Sequence, residues 1–391
     1  MEPILKQTQT NPSLTKTHSL AARLGMSWSH FLNDGAANYL PGILPAVLIA
    51  MNQPVSMAGA IMGVLLFGQA LQPLMGWIAD RFGGKSLLMI GLLASSSGGA
   101  LIGIANEIWV LFALLLLIGL GNAAFHPQAL SGIRSMVKEK QGLWMSVFLI
   151  GGEVGRGAWP TMASWLVVHY GMISLIFLFL PTLLTIPFLW RWAPTLPANK
   201  SKKDRIKWRD HAWSLTLLLG FAGSRAFVTY SIVTFIPVLW NLRGGSLISG
   251  ASIITTFIVV GVIGNLSGGY LSDILGKRAI LIISGILLIV FTVLIFQLQG
   301  VWLWIVAGLA GIAAFSGGPI TIMIGQDIFP ENRSLGSGIA LGLSNGIGAL
   351  LVVIAGLWMN DAHRTAVFAM IDFFAVFSLL LTLLFPKRLL R

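Results

Sequence analysis

The sequence predicts an all-α integral membrane protein whose twelve helices form two six-helix halves, and three observations support this prediction. Of the 391 residues, 56% are hydrophobic and only 10% are charged, whereas an average soluble domain has about 25% charged residues. Twelve apolar runs are long enough to cross a bilayer, and a motif in the second run recurs in the eighth. The composition excludes a large soluble enzyme and a disordered chain. The absence of Cys excludes disulfides and thiolate sites.

The apolar runs each approach the roughly 20 residues that a membrane-spanning helix needs. Their limits are residues 25–50, 57–79, 86–105, 108–133, 143–168, 172–192, 212–240, 248–271, 279–297, 301–325, 335–358 and 365–385. The expected organisation is a tail over 1–24, a first bundle over 25–192, a basic linker over 193–211 and a second bundle over 212–391. The tail has no apolar run directly after a basic start, so we expect no cleaved signal peptide.

The basic residues predict the orientation, because Lys and Arg stay on the cytoplasmic side. With a cytoplasmic N-terminus, 21 of the 25 Lys and Arg residues fall inside, and only Arg243 and Arg364 fall outside. Both termini are therefore expected in the cytoplasm, and the compact loops favour a multi-pass protein of a bacterial inner membrane. The net charge of +12 does not predict nucleic-acid binding, because the basic residues lie between apolar runs; the linker is expected to contact anionic lipid.

An internal repeat relates the two halves. Gly68-x3-Gln72-x3-Gly76-x3-Asp80-x2-Gly83-x-Lys85 matches Gly261-x3-Asn265-x3-Gly269-x3-Asp273-x2-Gly276-x-Arg278 at a constant offset of 193 residues. Parallel repeats of this kind occur in transporters whose substrate site lies between the halves. We interpret the two copies as a cytoplasmic gate that pairs its charges in each transport cycle; a turn that only caps helices is the alternative. The gate residues are Gly76, Asp80, Arg81, Gly83, Lys85, Gly269, Asp273, Gly276, Lys277 and Arg278.

The motif and the six-plus-six layout resemble the major facilitator superfamily. The segments Ser29–Asp34, Phe125–Pro127 and Phe148–Gly152 resemble the fosmidomycin-resistance type of drug exporter within it. The next residues depart from that group, because Glu153 and Arg156 stand where it usually has small or amide side chains. The resemblance implies a proton-coupled carrier of small molecules, more often an exporter, and the departure keeps the drug substrate from being carried over.

Five charged residues lie inside the apolar runs, where a central charge costs roughly 2.5–3.5 kcal/mol. Asp34 belongs to a stripe in which His30, Asp34, Asn38 and Pro41 follow each other at helical spacing, with Asn33 beside it. We expect this stripe to face a cavity, with Asp34 and His30 in proton coupling and Asn33 and Asn38 at the substrate. Polar packing of the first helix against the fifth or seventh is the alternative.

The other four charges lie in runs 5, 7 and 12. Glu153 and Arg156 are three residues apart and can pair, either as a proton-controlled switch that frees Arg156 for an anion or as a self-neutralising pair. Arg225 has no acidic neighbour in its own run, so it is expected to contact Asp34, Glu153, a backbone carbonyl or a substrate anion; with Arg156 it could complete an anion clamp, since a guanidinium suits carboxylate or phosphonate. Asp372 is expected to have a structural partner.

His126 and Pro127 fall inside run 4, where the proline is expected to interrupt the helix. His126 is assigned to proton relay or substrate contact, with a hinge and a polar filler as the alternative. Gly317-Gly318-Pro319 occupies almost the same place in run 10, which predicts paired bends around a central site.

The sequence contains no complete nucleotide-binding motif, and its His residues are scattered, so we expect no enzyme activity, cofactor or metal. The expected partners are a small-molecule substrate, protons and the bilayer, and the protein is expected to be a monomer. Three functions remain: a proton-coupled antiporter exporting an amphipathic or anionic compound, a symporter importing an organic anion, and a membrane sensor that does not transport. Flux in proteoliposomes under a pH gradient separates them.

Overall fold

A computed structural model describes residues 20–137, 141–198, 208–330 and 333–390. Helices occupy all twelve predicted runs, and we number them α1–α12 in chain order. Most of the predicted tail and half of the linker (residues 1–19 and 199–207) lie outside the described residues, as do Lys138, Lys140 and Arg391.

The first six helices include three that have more than one part. The bounds are Leu20–Asn38 and Leu40–Ala50 for α1, Met57–Ala70 and Gln72–Phe82 for α2, Ser86–Leu101 for α3, Ile108–Ser135 for α4, Gln141–Tyr170 for α5, and Met172–Phe179 (a 3-10 stretch) with Leu180–Trp192 for α6.

The last six helices include two that have more than one part. The bounds are Trp208–Leu242 for α7, Leu247–Leu275 for α8, Lys277–Gln297 for α9, Val301–Ser316 and Gly318–Ile328 for α10, Arg333–Gly338, Ile339–Leu343 (a π-helical turn) and Ser344–Trp358 for α11, and Arg364–Leu384 for α12.

Ten of these helices are long and apolar enough to cross a membrane, which confirms the predicted membrane class. Within the described ranges, α1 and α5 fall outside this criterion, and they are the helices that carry the polar stripe and the Glu153–Arg156 pair. The two helices pack against each other through glycines of α5. A Cβ atom on Gly155 would lie 2.2 Å from the carbonyl oxygen of Phe31, and one on Gly151 would lie 2.5 Å from that of Ser27. Only glycine permits this backbone approach.

The internal repeat has a matching three-dimensional arrangement. A Cβ atom on Gly76 of α2 would lie 3.7 Å from Pro127 of α4, and a Cβ atom on Gly269 of α8 would lie 3.7 Å from Pro319 of α10. Each half thus packs a repeat glycine against a proline two helices later.

The two prolines act differently on their helices. The expectation that Pro127 interrupts its helix is wrong, because α4 runs continuously from Ile108 to Ser135. The corresponding helix in the second half, α10, does break, at Gly317. The physical reason is that two glycines precede Pro319, and each glycine costs about 1 kcal/mol of helix stability; Phe125 and His126 precede Pro127.

The two halves meet at one end of the molecule. We call the helix ends that carry Arg81, Lys85 and Arg278 the basic end, and the opposite ends the far end. At the far end α2 touches α11 closely, since a Cβ atom on Gly59 would lie 2.7 Å from the Cα atom of Gly356. There α5 also meets α8, where the hydroxyl oxygens of Thr161 and Thr255 lie 2.7 Å apart.

The basic end is more open. The second part of α2, Gln72–Phe82, has no buried residue, and its contacts with the first part of α11 are sparse. The molecule is therefore closed at the far end and open toward the basic end, as expected for one state of an alternating-access carrier.

Candidate functional site

A polar cavity of about 130 Å³ lies between the halves. Both halves line it, with Arg156 and His126 from the first and Tyr230 and Asn345 from the second. The other lining residues are Asn38, Pro41, Met62, Leu66, Gln69, Gln72, Asn122, Thr229, Val233, Ile258, Phe315 and Gly342. A larger groove of about 610 Å³ lies on the outer face between α1 and α6, and its lining has no ionisable residue. The central cavity is the candidate site because ionisable side chains meet there.

Asp34 is the centre of the charged cluster and is only 1% exposed. Arg156 donates to its Oδ2 atom at 3.0 Å. Asn33 and Asn122 donate to its Oδ1 atom at 3.1 and 3.2 Å. A carboxylate with one ionic partner and two amide donors is stabilised in its charged form. Asp34 is thus the carboxylate to which the other polar groups of the cluster donate.

His30 and His126 flank that carboxylate. The Nε2 atom of His30 lies 3.4 Å from Oδ2 of Asp34, and the Nε2 atom of His126 lies 3.3 Å from Oδ1. The two Nε2 atoms are 3.2 Å apart. The Nδ1 atoms point away from each other, toward the carbonyl oxygens of Phe148 at 2.8 Å and Asn122 at 2.9 Å. The two rings are therefore fixed at both ends.

Arg156 links this cluster to the cavity. Its side chain is 34% exposed and contacts Glu153 at 3.4 Å through Nη1, so the predicted pair forms. The contact is longer than the 3.0 Å contact with Asp34. The Nε atom of Arg156 is buried and has no hydrogen-bond partner within the described part of the chain. Arg156 can therefore rearrange without breaking an optimal network.

The two predicted asparagines have different positions. Asn38 lines the cavity, and its Nδ2 atom donates to the backbone oxygen of Asp34 at 2.8 Å. Asn33 is fully buried, and its Oδ1 atom accepts a hydrogen bond from Ser95 at 2.8 Å. Asn33 thus orients Asp34 and lies behind the cavity lining, and the substrate contact expected of it stays a prediction.

Arg225 has backbone carbonyls as its partners, which is one of the alternatives expected for it. It is 6% exposed, and its Nη2 atom donates to the carbonyl oxygens of Ala313 at 2.7 Å and Ala314 at 3.0 Å. These carbonyls lie in the last turn of the first part of α10, next to the break at Gly317. Arg225 therefore caps the end of that helix segment and stands outside the cavity lining, so it forms no clamp with Arg156 here.

The predicted gate residues lie at the basic end. Gly83 and Gly276 have positive φ angles of 63° and 85° and end α2 and α8, which favours glycine at both positions. Lys277 pairs with Asp327 of α10 at 2.7 Å. Lys85 donates to the backbone oxygen of Trp190.

The remaining gate residues lie close by. Gly76 and Gly269 are the repeat glycines described above, and the Asp80 and Asp273 side chains are exposed. The Arg81 guanidinium lies over the Trp77 ring, while Arg278 is half-buried. Opening and closing of this end by these residues remains a prediction.

Within the described part of the chain, the structure shows no partner for one carboxylate oxygen of Asp372, and the structural partner expected of this residue stays a prediction. Its Oδ1 atom is buried without a hydrogen-bond partner in the described ranges, and the residue lies on α12 outside the cavity lining.

Sequence reasoning missed Asn122, Tyr230 and Asn345. Asn122 precedes His126 by one helical turn, so the same periodicity that assembled the α1 stripe could have found it. Tyr230 and Asn345 carry no comparable signal, because they reach the cavity only through the docking of the second half.

The ligand atoms of His30, Asp34 and His126 lie within 4.8 Å of one another, and no other such group occurs among the residues described. A divalent cation between them would stand beside the Arg156 guanidinium, which already neutralises the carboxylate. The positive charge of Arg156 disfavours a second cation at this place, and the absence of a metal site stays a prediction.

Comparison with known proteins gives the family. The family model described as Major Facilitator Superfamily matches residues 26–353 and, in an overlapping match, residues 224–389. The chain belongs to the Major Facilitator Superfamily. Its resemblance to the fosmidomycin-resistance type is also supported, since it is 24% identical to the fosmidomycin resistance protein of Escherichia coli over 96% of this chain and 95% of that protein. It is 26% identical to the MFS-type transporter YfnC of Bacillus subtilis, over 100% of this chain and 98% of that protein.

A solved structure supports the Major Facilitator Superfamily fold. The structure of a bacterial homologue of the human lysosomal transporter Spinster, in an inward-facing and occupied conformation, aligns with a TM-score of 0.75 at 16% identity. The alignment covers 95% of this chain and 97% of that one. The chain is therefore a multi-pass membrane transporter with a small-molecule substrate, as this superfamily implies.

Proposed function

We propose that this chain is a proton-coupled secondary transporter that exports a small molecule across a bacterial inner membrane, with both termini in the cytoplasm. The observation that carries the proposal is the buried cluster around Asp34, which opens through Arg156 and His126 onto a cavity between the halves. Ionisable groups inside a membrane bundle are costly, and they mark proton relays and substrate pathways. Secondary transporters bind substrate and coupling ion at this position between repeats.

Proton exchange at the cluster is the proposed energy input. His126 is the imidazole nearer to the cavity, with a side chain 15% exposed against 4% for His30. Glu153 is also partly accessible. Protons can therefore enter from the cavity, while Asp34 supplies the negative charge that holds them. Closing the basic end and opening the far end would then expose the same cluster to the other side of the membrane.

Cargo recognition is assigned to the polar lining of the cavity. Arg156 offers a cation, and Asn38, Gln69 and Asn345 offer amide groups that can both donate and accept. Tyr230 adds a phenol from the second half. A cargo that contacts both halves stabilises conformations in which the two halves close around it, so its binding is coupled to the conformational change.

Export is supported by the name of the Escherichia coli relative, a resistance protein similar to this chain over nearly its whole length. Exchange of cargo against protons requires that the two compete for the cluster. A cargo with cationic or hydrogen-donating groups meets this requirement, because those groups can bind Glu153 in place of a proton.

Proton-coupled import of an organic anion is the second candidate, and the Arg156 contacts favour it. Protonation of the cluster weakens the hold of Asp34 and Glu153 on Arg156, so its guanidinium becomes available to an anion. Proton and anion then bind together, which is the linkage of a symporter.

Flux measurements in proteoliposomes distinguish the two. Vesicles containing the protein and the pH dye pyranine receive either fosmidomycin, as an anionic probe, or ethidium, as a cationic amphipathic probe, with and without an imposed pH gradient. Export predicts that ethidium moves in the direction opposite to the protons. Import predicts that fosmidomycin moves in the same direction as the protons. Absence of proton-coupled flux for a panel that spans both charge classes would contradict the proposal.

The Glu153–Arg156 pair gives a separate prediction. Glu153→Gln removes a titratable group that contacts the cavity-lining Arg156, so we expect the pH dependence of flux to change while the half-saturating concentration of an anionic cargo changes little. Arg156→Lys keeps the charge but loses the planar fork, so we expect that concentration to rise about tenfold, from about 1.4 kcal/mol of lost binding. Initial rates over a pH series check both. Identical kinetics in the two variants would instead indicate a pair that only neutralises itself.

A further inference from the structure

The imidazoles of His30, which is buried, and His126, which is half-buried, have fixed tautomers. A backbone carbonyl oxygen can only accept a hydrogen bond, and the Nδ1 atoms of His30 and His126 lie 2.8 and 2.9 Å from such oxygens. Both Nδ1 atoms must therefore carry hydrogen. A neutral imidazole has only one N–H group, so in two neutral rings both Nε2 atoms would present lone pairs.

Those two Nε2 atoms nevertheless face each other at 3.2 Å. Two lone pairs at that distance repel, whereas a single added proton turns the contact into an N–H···N hydrogen bond of ordinary length. The carboxylate oxygens of Asp34 are slightly farther away, at 3.3 and 3.4 Å, and they supply the opposite charge. The arrangement is that of a pair holding one proton beside an anion.

We propose that His30 and His126 share one proton between their Nε2 atoms, and that this imidazole pair carries the coupling proton. The proposal deepens the proposed function. The shared proton is argued from geometry alone, and only its role in coupling rests on the proposed function. Loading adds a proton from cavity water to an Nε2 lone pair, and unloading returns that proton to water. His126 exchanges with the cavity, because it lines the cavity and His30 does not.

The charges around the pair agree with this assignment. Asp34 on α1 lies beside both rings, and Arg156 on α5 contacts Asp34 and Glu153. Tyr230 on α7 lines the same cavity as His126. With the shared proton, two cations balance two carboxylates, and Tyr230 is neutral. Without it the cluster has an uncompensated negative charge in a buried site, which draws Arg156 more firmly onto Asp34 and Glu153.

Asp34 acts as the fixed anion in this scheme. Arg156 and two amide groups already donate to it, so a proton on its carboxyl would displace a bond that exists. The prediction that Asp34 takes part in proton coupling is kept, but its role becomes that of a positioning residue for the proton on the imidazoles.

The test is nitrogen magnetic resonance on the full-length, substrate-free protein in lipid bilayers, with ¹⁵N-labelled histidine. We expect one protonated Nε2 that shows scalar coupling across the hydrogen bond to the Nε2 of a second ring. His30→Gln and His126→Gln should each abolish this coupling. Two rings that show unprotonated Nε2 atoms at every pH of the folded protein would overturn the proposal, as would a coupling that survives either variant.

His169 provides the matched control. Its Nδ1 atom also contacts the carbonyl four residues earlier, Trp165, at 2.8 Å, but it lies exposed at the far end. His169→Gln should leave the coupling unchanged. The measurement needs no transport, so its failure is separable from failure of the proposed function. In flux assays His126→Gln should lose gradient-driven accumulation of cargo; accumulation equal to that of the wild type would contradict the coupling role.

Discussion

The Asp34→Asn variant is expected to fold and insert but to lose proton-driven transport. Asparagine is similar in size to the aspartate and keeps one acceptor oxygen, but it removes the charge that balances Arg156 and the protonated imidazoles. Removing one partner of a buried ion pair costs about 3–5 kcal/mol. The variant also loses the anion that holds the proton at the cluster, so gradient-driven flux in proteoliposomes should fall to the level of protein-free vesicles.

A matched control is available for this experiment. Asp372 is another membrane-embedded aspartate, but it lies on α12 away from the cavity lining. Asp372→Asn should retain transport, and size-exclusion profiles in detergent should show both variants folded. Gradient-driven flux at the wild-type level in Asp34→Asn would remove Asp34 from the coupling mechanism.

The Gly59→Leu variant is expected to hold the far end open. A Cβ atom at this position would lie 2.4 Å from the carbonyl oxygen of Val352 and 2.7 Å from the Cα atom of Gly356, so α2 and α11 could not pack as they do. Overpacking of this kind costs about 1–3 kcal/mol. The ratio of far-open to far-closed molecules should therefore rise by about 5- to 150-fold, and transport should fall because the cycle needs both states.

The lack of native cysteine makes this shift measurable. A reporter Thr161→Cys placed at the α5–α8 contact should react faster with a membrane-impermeant maleimide added from the far side when Gly59→Leu is present. Gly25→Leu serves as the control, because a Cβ atom at Gly25 has nothing within 4 Å. Equal labelling rates in the Gly59→Leu and wild-type backgrounds would show that this contact does not control the far end.

Much of the fold could be predicted because membrane-spanning helices have a strong signal. Each predicted run contains helix, and the repeat glycines Gly76 and Gly269 occupy corresponding positions against prolines. The α1 stripe was also predictable, since helical periodicity brings His30, Asp34 and Asn38 to one face. A buried charge needs a partner, so the sequence indicated a charged cluster around Asp34, but it did not show which residues of α4 and α5 belong to that cluster.

The sequence does not indicate which of its expected partners Arg225 contacts, because those in the structure are backbone carbonyls. Every residue has one, and the sequence does not single out those of Ala313 and Ala314 in the last turn of the first part of α10. The break itself depends on Gly317 and Gly318, while the similar proline in α4 leaves that helix continuous. The contact between the imidazoles of His30 and His126 could not be predicted either, since the two residues are 96 positions apart in the sequence.

The pairing of α1 with α5 also constrains how the protein enters the membrane. Asp34 leaves the ribosome 122 residues before Arg156, its ionic partner, and an unpaired central charge costs roughly 2.5–3.5 kcal/mol during insertion. Helix α1 is also outside the group of helices apolar enough to cross alone. Nascent α1 should therefore stay near the translocon until α5 is made, and chains truncated before α5 should be extracted and degraded more readily than chains that include it.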